Sequence, residues 1–241
     1  MQACYRLLMV GMLSGFSSMT WAATDGSCLI EPSMEVKVGF PVDGVLDQVL
    51  VDRGDLIDKG QLLARLQSGV EQASVDYHSA KAAFGGRKKD RTEALQRDSL
   101  ISKQEHDEIA TDQKLAEMEL REKREQLKLR TVTSPIRGVV VDRYHHPGDL
   151  IHQEHVLRVA QLDPLYVEVV LPVTWFGKIA QGEFYDVTPQ PLGGSYKAQV
   201  VAVDRVIDAA SSTFRVRLSL ANKKYELPSG LRCTVDFSKS K

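Results

Sequence analysis

Four of the six histidines fall within eleven consecutive positions, at His145, His146, His152 and His155. Imidazoles this close together can ligate zinc or copper, and they can also form pH-sensitive contacts, since histidine titrates near about pH 6.5. An internal repeat, described below, sets them opposite Val51, Asp52, Asp58 and Gln61, in turns and at strand edges, where the plainer reading is a solvated turn. Asp149 and Glu154 lie near, but no Cys or carboxylate completes a ligand spacing, so no metal is assigned. Phosphate loops, a Gly-x-Ser-x-Gly elbow and a His-Glu-x-x-His helix are absent. The chain therefore reads as a protein with no enzymatic chemistry and no cofactor.

The chain has 241 residues, with 31 Lys and Arg against 32 Asp and Glu and a formal charge of −1. That balance gives no general affinity for nucleic acid, and none is expected as a partner. Arg6, the apolar run Leu7–Phe16 and the small-x-small site Thr20-Trp21-Ala22 read as an export signal over residues 1–22. Retention as an uncleaved anchor is the alternative. The apolar run is shorter than the roughly 20 residues of a membrane span, and no Leu-x-x-Cys lipobox precedes Cys28. Removing the signal removes Cys4 and leaves Cys28 and Cys233. In an oxidising compartment this pair reads as one disulfide, with two separate thiols as the alternative.

The elements that must carry these residues are set by a repeat. Phe40–Leu66 and Ser134–Ala160 align without a gap over 27 positions at a constant offset of 94. Pro41 falls on Pro135, Gly44 on Gly138, Gly54 on Gly148, and Asp55-Leu56-Ile57 on Asp149-Leu150-Ile151. Each copy reads as short strands around a Gly-Asp turn with the glycine at φ > 0. Neither copy is long enough to bury a core alone, so the two are expected to form one small β-sandwich. From Pro164 the chain alternates again, at 165–172, 196–204, 212–220 and 231–237, which fits an antiparallel barrel or sandwich. The early stretch 27–31 is expected to join it, which would bring Cys28 toward Cys233.

Between the repeats, residues 68–130 read as two helices. Val70, Ala73, Tyr77, Ala80 and Phe84 alternate steps of three and four and are expected to form the seam against the second helix. On the return, Ile109, Ala116, Leu120 and Leu127 keep that spacing, interrupted by Gln113 and Lys123. At the bend, Ser102-Lys103-Gln104-Glu105 is a capping box with Ser102 as N-cap and Glu105 at N3, and Leu100-Ile101 is expected to tuck back as a staple. Ser102 is thus explained locally. Leu95, apolar at the end of a projection, points to a partner.

Half-motif, helical pair, half-motif and β-rich tail, in that order, resemble the bacterial membrane fusion proteins, the haemolysin-secretion-D-like periplasmic adaptors. The bend matches that family's Arg-x3-Leu-x6-Ser pattern as Arg91, Leu95 and Ser102, and Ser134–Ile151 resembles its second half-lipoyl motif. The resemblance implies a mainly β fold with an inserted α-helical coiled-coil hairpin, a lipoyl-like sandwich and a β-barrel domain. It places the barrel in 23–36 and 161–241, the lipoyl-like part in 37–67 and 131–160, and the hairpin in 68–130. It implies a periplasmic adaptor between an inner-membrane efflux transporter, of RND type, and a TolC-like outer-membrane channel, assembled as a ring, expected to be a hexamer. Arg91, Leu95 and Ser102 would contact the channel. An adaptor of an ABC-type exporter or of type I polypeptide secretion is the alternative. A lipoyl or biotinyl carrier is set aside, because the helical insert occupies the place of the carrier's lysine hairpin. Longer members continue beyond the barrel into a membrane-proximal domain, so docking on the transporter is expected to use the barrel.

Overall fold

The two repeats fold into strands that exchange partners. In the computed structural model, which describes residues 25–237, copy one supplies β2 (Gly44–Val49), β3 (Leu56–Ile57) and β4 (Leu62–Leu66), following β1 (Asp25–Gly39). Copy two supplies β6 (Gly138–Arg143), β7 (Leu150–Ile151) and the start of β8 (His155–Pro172), following β5 (Thr131–Thr133). The expected export signal, residues 1–22 with Cys4, lies outside the described residues.

Strand β2 pairs with β7 and β3 with β6, so each copy completes the other. The hydrogen bonds repeat at the sequence offset. Gly54 N–H donates to the Val140 carbonyl at 2.9 Å, and Gly148 N–H donates to the Leu46 carbonyl at 2.8 Å. The Asp52 N–H donates to Asp55 Oδ2 at 2.7 Å, as the His146 N–H does to Asp149 Oδ2 at 2.8 Å. Gly54 and Gly148 have φ of +92° and +98°, the conformation their Gly-Asp turns require. Around this exchange Phe40, Leu46, Ile57, Leu63, Ile151 and Leu157 form one buried core.

The second core belongs to a closed barrel. Its strands run β1, β12 (Arg232–Asp236), β9 (Phe184–Pro189), β10 (Tyr196–Val203), β11 (Thr213–Leu220) and β8, with β8 pairing back onto β1. Closure removes every free sheet edge from this ring. Ile30, Leu165, Val187, Val216, Leu218 and Val235 fill it. The sequence alone shows β10, β11 and β12 but not β9, where Asp186 and Pro189 dilute the strand pattern of a six-residue segment. Strands β1 and β8, 15 and 18 residues long, are antiparallel and run through both cores, so the cores share a continuous two-stranded spine. Asn222 is buried beside it. Its side chain donates to the Leu162 and Leu227 carbonyls and accepts from the Leu227 N–H, while its own N–H donates to Asp163 Oδ1.

Helices α1 (Gly69–Arg97) and α2 (Lys103–Lys128) rise between the repeats and lie antiparallel. The face of α2 that meets α1 is the expected one, with Ala116 and Leu120 buried and Leu127 packed against them. The face of α1 is not. Val70, Tyr77 and Phe84 are 81%, 67% and 57% exposed, so the expected seam stands in solvent. The true seam uses Val75, Ala82 and Thr92, and Gly85 lies on it so close to α2 that a Cβ there would stand 3.4 Å from the Gln113 Cα. Small residues win this face because they let two helix backbones approach closely. Ion pairs hold the register, Lys81 Nζ to Glu119 Oε2 at 2.6 Å and Arg130 Nη2 to Glu71 Oε1 at 2.6 Å. The Lys81–Glu119 contact raises the lysine pKa and lowers that of the carboxylate, chiefly through its hydrogen bond. Arg130 also donates to the Asp43 carbonyl at 2.7 Å and so ties the helical base to the sandwich.

Candidate functional site

The bend between the helices is built by two complementary end motifs. Helix α1 closes with the Ser99 N–H donating to the Gln96 carbonyl and the Leu100 N–H to the Leu95 carbonyl, both at 2.9 Å. That pattern is a Schellman motif, with Ser99 at φ +58° in the left-handed position usually held by glycine. Helix α2 opens with Ser102 at N-cap in extended conformation, its Oγ accepting from the Glu105 N–H at 3.1 Å. Both ends are therefore satisfied within five residues, and the bend holds one shape. Leu100 stands exposed and does not tuck back as a staple; Ile101 alone is half-buried.

Arg91 and Leu95 sit one turn apart on the last turns of α1, with Arg91 exposed and Leu95 43% exposed. The Schellman motif sets Leu100 at the same end as Leu95, giving the tip two apolar side chains beside a guanidinium. A helix of 29 residues carries them roughly 40 Å from the β base. Chemically this tip can donate hydrogen bonds in a planar fork and fill an apolar groove. It holds no nucleophile paired with a base.

The other chemistry-bearing residues lie at the base. Cys28 and Cys233 face each other in the β1–β12 register and are joined by a disulfide. His145 stands between two carboxylates, with Nδ1 3.5 Å from Asp149 Oδ2 and Nε2 3.8 Å from Glu154 Oε1. The His146 N–H bond, aided by the charge of His145, holds Asp149 below the usual carboxylate pKa. His152 instead faces Asp43 at 3.6 Å, and His155 packs edge-on against Tyr144. His145 and the His146 N–H thus share Asp149 while His152 and His155 take other partners, and among the described residues no group of three or more His, Cys, Asp or Glu could hold a metal ion. Sequence reasoning missed Arg130 and Glu71, which anchor the projection, because a single ion pair across 59 positions leaves no local signal.

Against this geometry, the CzcB-like barrel-sandwich hybrid domain family matches residues 34–161. The chain belongs to that family. Two relatives in Pseudomonas putida are each 26% identical over an alignment of 204 residues that covers 76% of this chain: the solvent efflux pump periplasmic linker SrpA and the toluene efflux pump periplasmic linker protein TtgG. This CzcB-like chain spans about half the length of the curated relatives it matches, 53% of SrpA and 52% of TtgG. Among solved structures, a MacA-MexA chimera carrying the Pseudomonas aeruginosa MexA alpha-hairpin domain superposes with a TM-score of 0.76, at 21% identity, over 88% of this chain and 76% of that one. The membrane fusion protein Spr0693 from Streptococcus pneumoniae gives 0.68 at 19% identity, over 89% of this chain and 97% of that one. These likenesses show the fold. No described helix is long and apolar enough to cross a membrane.

Proposed function

We propose that this chain is a periplasmic adaptor that links an inner-membrane efflux transporter, of RND type, to a TolC-like outer-membrane channel. One observation carries the reading: a capped, projecting helical tip presents the side chains of Arg91 and Leu95 to solvent. The efflux-linker names of the two Pseudomonas relatives support the same direction. The barrel domain, residues 23–36 and 161–241, would face the transporter, and the lipoyl-like domain, 37–67 and 131–160, would carry the hairpin, 68–130. Several copies would stand in a ring, taken as six from the family resemblance. At the tip Arg91 donates to acidic or carbonyl groups of the channel, Leu95 fills an apolar groove, and Ser102 keeps α2 capped beside it.

The work is docking and sealing rather than bond chemistry. Leu95→Asp places an unpaired charge in an apolar contact, and Arg91→Asp reverses the charge at the fork. Each is expected to abolish substrate tolerance in cells that depend on this pump, while circular dichroism and thermal unfolding stay unchanged. Full tolerance in both variants would refute the tip as the channel contact.

A further inference from the structure

The end of the barrel that points away from the sandwich carries an apolar crown. Strand β1 runs from the barrel into the sandwich and β8 runs back, so the pairs Asp25 with Asp236 and Thr213 with Pro172 mark that outer end. Two loops cover it, residues 173–183 and 204–212. They are tied together, with the Val173 N–H donating to the Ser212 carbonyl at 2.9 Å and Phe176 packed edge-on against Phe214. Val173, Phe176 and Ile207 stand exposed on these loops, and Val206 is 82% exposed. Between the loops lies an open cavity of about 420 Å³, with an apolar lining from Phe176, Ile179, Val201 and Val203 and with Arg205 beside them. Lys178 and Arg205 are exposed cations. The three acidic side chains of the loops are turned to partners of their own. Asp204 pairs with Arg215 at 3.1 Å, and Glu183 accepts from the Ala180 N–H at 2.9 Å. Asp208 accepts from the Ser211 and Ala210 N–H groups, which hold its pKa below the usual carboxylate range. Past Phe237, at the same end, the sequence continues Ser238-Lys239-Ser240-Lys241, two more cations without an acid.

We propose that this end of the barrel rests on an anionic phospholipid bilayer, with Phe176, Val206 and Ile207 among the acyl chains and Lys178 and Arg205 at the headgroup phosphates. The features match an amphiphile: apolar tips on loops beyond the strand ends, an apolar cleft open beside a guanidinium, and cations whose neighbouring acids are engaged elsewhere. A fluid surface accepts isolated tips from two loops, whereas a folded partner would need a separate pocket for each. The path of the chain points the same way. Asp25 opens β1 at this end, so residues 1–22 lead into it. Removal of the export signal leaves Ala23 two residues before β1, and its retention as an anchor tethers this same end to the bilayer. The inference goes beyond the adaptor reading, which concerns the hairpin tip, and does not depend on it.

Fluorescence quenching on the full-length exported chain tests it. A thiol-reactive fluorophore is placed at Val206→Cys in a Cys4→Ser background; Cys28 and Cys233 are buried in their disulfide, so the label goes to position 206 alone. The probe is a protein-free vesicle of phosphatidylethanolamine and phosphatidylglycerol with brominated acyl chains. The expected result is bromine quenching at 206, weakened by Arg205→Glu and by exchanging phosphatidylglycerol for phosphatidylcholine, with no quenching of the same label at Leu95→Cys. No quenching at 206, equal quenching at 206 and 95, or quenching indifferent to both lipid charge and Arg205→Glu would each overturn the proposal. The vesicles hold no transporter, so a barrel end that docks only on protein gives no quenching and counts against the bilayer. Thermal unfolding of each labelled chain, unchanged from the parent, shows that the fold is kept. Failure here leaves the channel contact of Leu95 standing on its own test.

Discussion

At the scale of single residues, the bend shows how much a local motif can say. Ser102 is legible from the sequence because a Ser-x-x-Glu box has a fixed geometry, and the structure shows its forward bond to the Glu105 N–H. Ser99 is not legible. Nothing about serine signals the left-handed conformation it adopts, and only the pair of 2.9 Å bonds to Gln96 and Leu95 reveals the Schellman end. Ser99→Gly is expected to raise stability by about 1 kcal/mol, since glycine enters that region without a Cβ clash. Ser102→Ala is expected to cost about 1 kcal/mol by leaving an N–H of α2 unsatisfied. Urea unfolding of both variants checks the signs; two shifts in the same direction would contradict this description of the bend. The roles given to Arg91 and Leu95 came from family resemblance, since spacing alone is equally consistent with an ordinary exposed helix.

At the scale of elements, the helical insert was legible in extent and wrong in phase. Helix α1 carries two heptad-spaced rows, and the apolar row reads as the seam because apolar residues usually face a core. The row facing α2 is Val75, Ala82 and Thr92, all buried, with half-buried Gly85 between them, mostly small side chains that allow close approach but are weak in hydrophobic signal. Val75→Ser is therefore expected to destabilise the chain by about 1–3 kcal/mol. Tyr77→Ser, on the exposed row, is expected to change the unfolding of the monomer by less than about 0.5 kcal/mol. The reverse order in thermal melts would restore the original seam.

At the scale of the whole molecule, the gapless repeat made the sandwich legible, because two copies too small to fold alone must complete each other. That the copies exchange strands was not, since two similar halves could pair within themselves as well as between. Nor was the shared spine of β1 and β8, which makes sandwich and barrel one continuous structure. Asn222, β9 and the Arg130 anchor were equally silent, each depending on partners far away in sequence. What the sequence did carry to this scale is the order of parts: repeat, projection, repeat, barrel. In that order the projection is, among the described residues, the element that reaches away from the β base.

The central claim is that the tip of this projection reaches an outer-membrane channel. A photo-activatable amino acid at position 95 of the full-length chain, irradiated in cells, tests it most directly. The expected result is a cross-linked product containing an outer-membrane channel protein, lost when the probe moves to buried Val75. Cross-links from position 95 that contain only copies of this chain, or no cross-linked product, would contradict it.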